Sequence, residues 1–253
     1  MKRILVTNDD GVRSDGIHQL AAALKRLGHV IVVAPHIEAS AIGHALTLRR
    51  PLRMEQVGEQ VYEVDGTPTD CVNIAVTQLY RDNPPDLVVS GINMGYNLGD
   101  DVTYSGTVSG ALEGSLLGIP SIAVSLERSR DAYDFGPSAS AAATIAEDVL
   151  EHGLAPRTFL NLNVPPGQPR GFRVTVQAKR NHITVVAERI DPRGRAYYWI
   201  EEGQNDWEPH DRSDYQAVRD GFVSVTPLQP DLTAFDSIEA IGKRLERHQP
   251  TRR

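Results

Sequence analysis

Short apolar runs that stop abruptly in polar loops set the plan of this chain. Ile4-Leu5-Val6 ends in Thr7-Asn8-Asp9-Asp10-Gly11, the pattern of a buried strand handing two carboxylates to the loop at its C-terminal end. His29 to Pro35 is a second such strand, followed by a polar loop with Ser40, and Pro85 to Asn93 is a third. Between the first two, Leu20, Ala23, Leu24 and Leu27 share one face of a helix over about Ile17 to Leu27, with Gly28 as its stop. From Leu46 to Val64 the period changes to alternation around a Gly58-Glu59 turn, which predicts a hairpin. Thr67-Pro68-Thr69-Asp70 opens a helix to about Tyr80, with Thr67 as N-cap, Pro68 at the first helical position and Asp70 at the third.

Farther on, Ser105-Gly106-Thr107 starts a helix, Pro120 to Ser125 reads as a buried strand, Ala139 to Leu150 as an alanine-rich helix and Thr158 to Val164 as another strand. Strands alternating with helices over the first two thirds of the chain demand a mostly parallel sheet, an α/β core over about residues 1–170. Beyond Pro165-Pro166 the pattern changes. Arg173 to Glu188 alternates, Asp191-Pro192-Arg193-Gly194 is a turn, and Ala196-Tyr197-Tyr198-Trp199-Ile200 follows, so an extended β-ribbon is expected within residues 171–230. Asp236 to His248 closes the chain as a helix, with Arg244 to Arg253 as a solvated tail.

Composition narrows the class. The chain has 253 residues, 26 basic against 33 acidic, for a formal charge of −7, so there is no basic footprint for a nucleic-acid polymer. No run approaches the roughly 20 apolar residues of a membrane span, and one cysteine, Cys71, read as a core residue, cannot form an internal disulfide. A cytoplasmic protein with no membrane partner is the expectation.

The candidate chemistry follows from the strand ends. In a parallel sheet the C-terminal ends share one edge, so Asp9, Asp10, Ser40 and Asn93 can converge there. Oxygen donors without Cys or His suit a hard cation, Mg²⁺ or Mn²⁺, and suit zinc poorly. Asp and Asn also cap turns, and only the set of four points to a site. Glycines 91, 95 and 99 allow a backbone loop to approach a ligand closely, and the helix start at Ser105, Gly106 and Thr107 offers free N–H groups and two hydroxyls, a cradle that with Asn97 would hold phosphate oxygens. Gly110 and Gly114, one turn apart, read as close helix-on-sheet packing. His36 and His44 lie near Ser40, as surface histidines or as donors to a leaving alkoxide.

Thr7 to Gly11, Gly66 to Val72, Pro85 to Asn97, Tyr104 to Gly114 and Asp191 to Gly194 with Tyr198-Trp199 together resemble the survival protein SurE family of 5'-nucleotidases. The resemblance implies a Rossmann-like three-layer core and a metal-dependent phosphatase acting on nucleoside 5'- and 3'-monophosphates. It implies one divalent metal per subunit held by Asp9, Asp10, Ser40 and Asn93. It also implies a homodimer or homotetramer joined through C-terminal arms, the ribbon of 171–230 and the helix and tail of 231–253. The chain departs from the family pattern at Ala39-Ser40-Ala41-Ile42-Gly43-His44, where a Ser-Gly run is usual after the second strand. Hydrolysis by a metal-activated water, with Asp9 or Asp10 as base, is the favoured mechanism. An aspartyl-phosphate phosphatase, a metal-dependent nucleotide-binding or transferase module and a non-catalytic interaction protein are its rivals.

Overall fold

The computed structural model describes residues 1–127, 133–246 and 248. Its centre is β1 (Lys2–Thr7), in which Ile4, Leu5 and Val6 are all fully buried. A strand apolar on both faces needs neighbours and helices on both sides, and it has them. β2 (Gly28–Pro35) lies parallel on one flank, with Val6 opposite Val32, and β5 (Leu87–Met94) lies parallel on the other, with Val6 opposite Val89. Beyond β5 run β6 (Ser121–Leu126) and β7 (Phe159–Val164), also parallel, and beyond β2 the hairpin of β3 (Met54–Gly58) and β4 (Val61–Val64). The chain thus turns to one side of β1 for β2 and to the other for β5, the kind of switch point beside which open α/β sheets place their ligands.

Two helical layers cover the sheet. Ile4 and Val6 pack with α1 (Asp15–Leu24) and α4 (Gly136–His152) on one face. Leu5 packs with Cys71 and Val72 of α2 (Pro68–Ile74) on the other, where α3 (Gly106–Leu116) also lies. Cys71 is fully buried, as expected. Gly110 and Gly114 allow α3 its close approach: a methyl group on Gly110 would meet Ser90 Oγ at 2.8 Å, and one on Gly114 would meet Val88 Cγ2 at 2.9 Å.

Several boundaries differ from expectation. The first helix ends at Leu24, and Gly28 is the first residue of β2, where a methyl group would collide with the carbonyl oxygen of Lys2. Close strand approach, not helix termination, requires that glycine. Leu46 and Leu48 are exposed and precede the hairpin, which starts only at Met54. The helix opened by Thr67 ends at Ile74 and continues as a π-turn over Ala75–Leu79.

The expected extension over 171–230 is only partly ribbon. β8 (Phe172–Val174) and β11 (Val223–Leu228) are strands of the central sheet, which has nine strands among the described residues. β11 runs antiparallel to β7 and parallel to β8, and α5 (Asp214–Arg219) packs against it. The ribbon itself is β9 (Arg180–Ile190) paired with β10 (Ala196–Trp207). Asp191 closes its turn by accepting from the N–H groups of Arg193 and Arg195 at 2.8 and 2.9 Å. α6 (Phe235–Glu246) is the terminal helix, and residues 247 and 249–253 of the expected Arg-rich tail lie outside the described residues. No described helix is long and apolar enough to cross a membrane.

Candidate active site

The loop after β1 is shaped by Asn8, whose side-chain amide donates to Gly11 O at 3.0 Å and Ser14 Oγ at 2.7 Å. That fold of the loop turns Asp9 and Asp10 over the sheet edge. Asp9 is 3% exposed, and its main-chain oxygen accepts from Ala39 N at 2.7 Å, which ties the Ser40 loop to the Asp pair. Its Oδ1 accepts from the Thr107 hydroxyl. Gly106 lies so close that a methyl group there would sit 2.8 Å from Asp9 Oδ2. The C-terminal end of β1 and the N-terminal end of α3 are therefore in direct contact.

Burial raises the Asp9 carboxyl above the ordinary carboxylate range. Half-buried Asp10 is pushed up to about 7, first by desolvation and then by the neighbouring Asp9 charge, and the backbone N–H of Met94 pulls the other way. That contact brings the Asp pair to the end of β5, where Asn93 is half-buried and donates from its amide to Gly95 O at 2.8 Å. Asp10 Oδ2 is buried without a hydrogen-bond partner.

Not every expected residue points into this centre. Ser40 is exposed, and its hydroxyl donates to Glu38 Oε1 at 2.7 Å; Glu38 adds a further negative charge near both aspartates. Ser105 is the N-cap of α3, its Oγ accepting from Val108 N at 3.1 Å. Asn97 is 6% exposed and anchored on all sides: its amide donates to Ser125 Oγ at 2.7 Å, its main-chain N–H to Asn163 Oδ1 at 2.8 Å, and its carbonyl accepts from Asn161 and Asn163. Gly99, at the end of that loop, donates to Asp214 Oδ2 at 2.9 Å. His36 is exposed with Nδ1 3.4 Å from Val64 O, and the His44 ring bonds Glu113 of α3.

Glu38, Glu113, Asn161 and Asn163 escaped the sequence reading. Asn161 and Asn163 carried a signal, two amides at alternate positions of an otherwise apolar strand. So did Glu113, a carboxylate among the small buried residues of α3. Among the described residues no three His, Cys, Asp or Glu side chains form a metal cluster, so a cation here would meet two carboxylates and neutral oxygens. That set, with the orphaned Asp10 Oδ2, fits a hard divalent ion.

Similarity to known proteins extends over most of the chain. The family model described as "Survival protein SurE" matches residues 4–184. A "5'-nucleotidase SurE" of Syntrophotalea carbinolica is 52% identical over 241 residues, covering 95% of this chain and 96% of that one. A "5'-nucleotidase SurE 1" of Thermus thermophilus is 50% identical over 250 residues, covering 96% and 98%. The crystal structure of a SurE protein from Aquifex aeolicus superposes with a TM-score of 0.86 at 46% identity, covering 96% of this chain and 99% of that chain.

Proposed function

Since this chain belongs to the SurE family, we propose that it is a 5'-nucleotidase, hydrolysing nucleoside 5'-monophosphates, and 3'-monophosphates as well, to nucleoside and phosphate. The observation that carries the reading is the contact between the buried Asp pair and the N-terminus of α3. It puts negative charge able to hold a cation beside N–H groups able to hold a phosphate.

Asp9, Asp10, Ser40 and Asn93 would hold the divalent metal, Mg²⁺ or Mn²⁺. When bound, such a cation supplies the positive charge that polarises a phosphoryl oxygen and makes water a nucleophile near neutral pH. Thr107 orients Asp9 by donating to its Oδ1. Asp10 Oδ2, the oxygen without a partner, is the atom left to ligate or to take a proton from water. The helix start at Ser105, Gly106 and Thr107 receives phosphate oxygens, and Asn97, whose amide is held by Ser125, shapes the preceding loop. As a metal ligand Ser40 would give up its bond to Glu38.

Subunits would join as a dimer or tetramer through the C-terminal arms. Tyr198, Trp199 and Ile200 of the ribbon and Phe235, Ile238, Ile241 and Leu245 along α6 are all exposed apolar side chains. The fully buried, lone Cys71 fits a reducing, cytoplasmic setting.

Phosphate release from a panel of nucleoside 5'- and 3'-monophosphates, with chelator, Mg²⁺ or Mn²⁺, tests the proposal. Asp9→Asn and Asp10→Asn should each cost about 100-fold or more. Full release in chelator, or in either variant, refutes it.

A further inference from the structure

Between β2 and β3 the chain crosses the site side of the sheet as a strap, and residues 43–47 of it are pinned at four points. Gly43 N donates to Tyr104 O at 3.0 Å, directly before the α3 N-cap. His44 Nε2 lies 2.6 Å from Glu113 Oε2. Ala45 O accepts from Thr67 Oγ1 at 2.7 Å, and Thr47 N donates to Asp70 Oδ1 at 2.9 Å. The capping box of α2 thus serves twice, closing its own helix and holding the strap.

Of these pins, one joins two ionisable side chains, and its carboxylate lies deep in the fold. The Glu113 side chain is 9% exposed on α3, and its second oxygen accepts from Asn73 Nδ2 of α2 at 2.6 Å. Burying a carboxylate costs free energy that an apolar residue would not, unless its oxygens are engaged, and both are. What the arrangement secures is a link between α2, α3 and the strap. Upstream, Ala39 is held to Asp9, so Ser40 sits on a short span between two fixed ends.

We propose that Glu113 is a positioning residue: through His44 and Asn73 it locks the strap and so sets where the preceding span carries Ser40. The consequence for metal affinity rests on reading Ser40 as a ligand. Supporting groups of this kind govern how well a ligand meets its metal, and their loss typically weakens binding 10- to 100-fold.

The test combines Mn²⁺ titration calorimetry with amide hydrogen exchange on the full chain. His44→Ala and Glu113→Ala should each raise the Mn²⁺ Kd about 10-fold. Amide exchange at Gly43 and Thr47 should accelerate in both. Glu113→Gln, which can keep a bond to each partner, should restore most of the affinity. In Ser40→Ala, already weakened, adding His44→Ala should cost nothing more, because both act through one contact. Unchanged exchange at Gly43 and Thr47, or losses that simply multiply in the double variant, overturns the proposal. If Ser40→Ala leaves Mn²⁺ affinity unchanged while the two amides still open in His44→Ala, the ligand reading of Ser40 fails and the strap lock stands. His44 is 31% exposed, so its truncation does not threaten the fold as Glu113→Ala could.

Discussion

Gly106 offers a substitution in which helix propensity and active-site geometry pull in opposite directions. It is the first residue of α3, where alanine would ordinarily favour the helix by up to about 1 kcal/mol. The added methyl carbon, however, would stand 2.7 Å from Asp9 Cβ and 2.8 Å from its Oδ2. Ordinary carbon contacts begin near 3.5 Å, so Asp9 and the helix end must part by about 0.8 Å. Relieving such overpacking costs about 1–3 kcal/mol, which the helix gain partly offsets. Gly106→Ala should therefore keep its fold and lose at most a few degrees of Tm. Its kcat/KM at saturating Mn²⁺ should fall about 100-fold, the usual cost of displacing a reacting group by about 1 Å. Stopped phosphate-release assays alongside calorimetric melting separate the two effects. Near wild-type turnover in a folded Gly106→Ala protein would show that the contact between Asp9 and the helix start plays no part in the chemistry.

Thr107→Val keeps the side-chain shape but removes the hydroxyl that donates to Asp9, so Mn²⁺ affinity should fall about 10-fold by titration; an unchanged affinity would return Thr107 to a phosphate role alone. In the metal-free protein Asp10 holds its proton up to about pH 7, far above the 3.8 of an ordinary Asp. A raised carboxyl binds more protons in the native state, so metal-free stability should decline as pH rises from about 4 to 7, and Mn²⁺ should reverse the trend; urea melts across that range check the sign. Ala41 sits at φ +55°, a region costly to any residue with a side chain, so Ala41→Gly should stabilise by about 0.5–1 kcal/mol in the same melts. Deleting residues 188–201 removes the exposed Tyr197–Ile200 stretch and should shrink the assembly in light scattering while Mn²⁺ binding persists.

Where one periodicity ran long enough, the fold was readable in advance. β1, β2, β5, β6 and β7 are apolar runs between turn signals, and the capping box at Thr67 and Asp70 is present in both halves. What escaped was set by tertiary contact. β11 alternates Val223, Ser224, Val225 and Thr226, but Pro227 within it argues against a strand, and only its place between β7 and β8 makes it one. Leu46 and Leu48 mimic a strand by alternation, yet the strap they belong to is held by hydrogen bonds to α2 and α3 and leaves both side chains exposed.

The site was legible at the level of loops and less so at the level of atoms. Strand ends on one edge of a parallel sheet must approach one another, so topology alone brings the loops that carry Asp9, Asp10, Ser40 and Asn93 to one edge. Which partner each oxygen takes depends on distances across 98 residues for Thr107 and Asp9, and 69 for His44 and Glu113, a quantity no local pattern carries. Hydroxyls at a helix start look alike in sequence, whether they cap the helix, as Ser105 does, or orient a carboxylate, as Thr107 does. Burial separates the cases. Asp9 has little water to solvate its charge, so each donor within reach lowers the cost of keeping it ionised, and Thr107 stands closest. The N-terminal turn of α3 therefore serves Asp9 as well as its own helix: Ser105 closes the turn and Thr107, two residues on, spends its hydroxyl on the buried carboxylate.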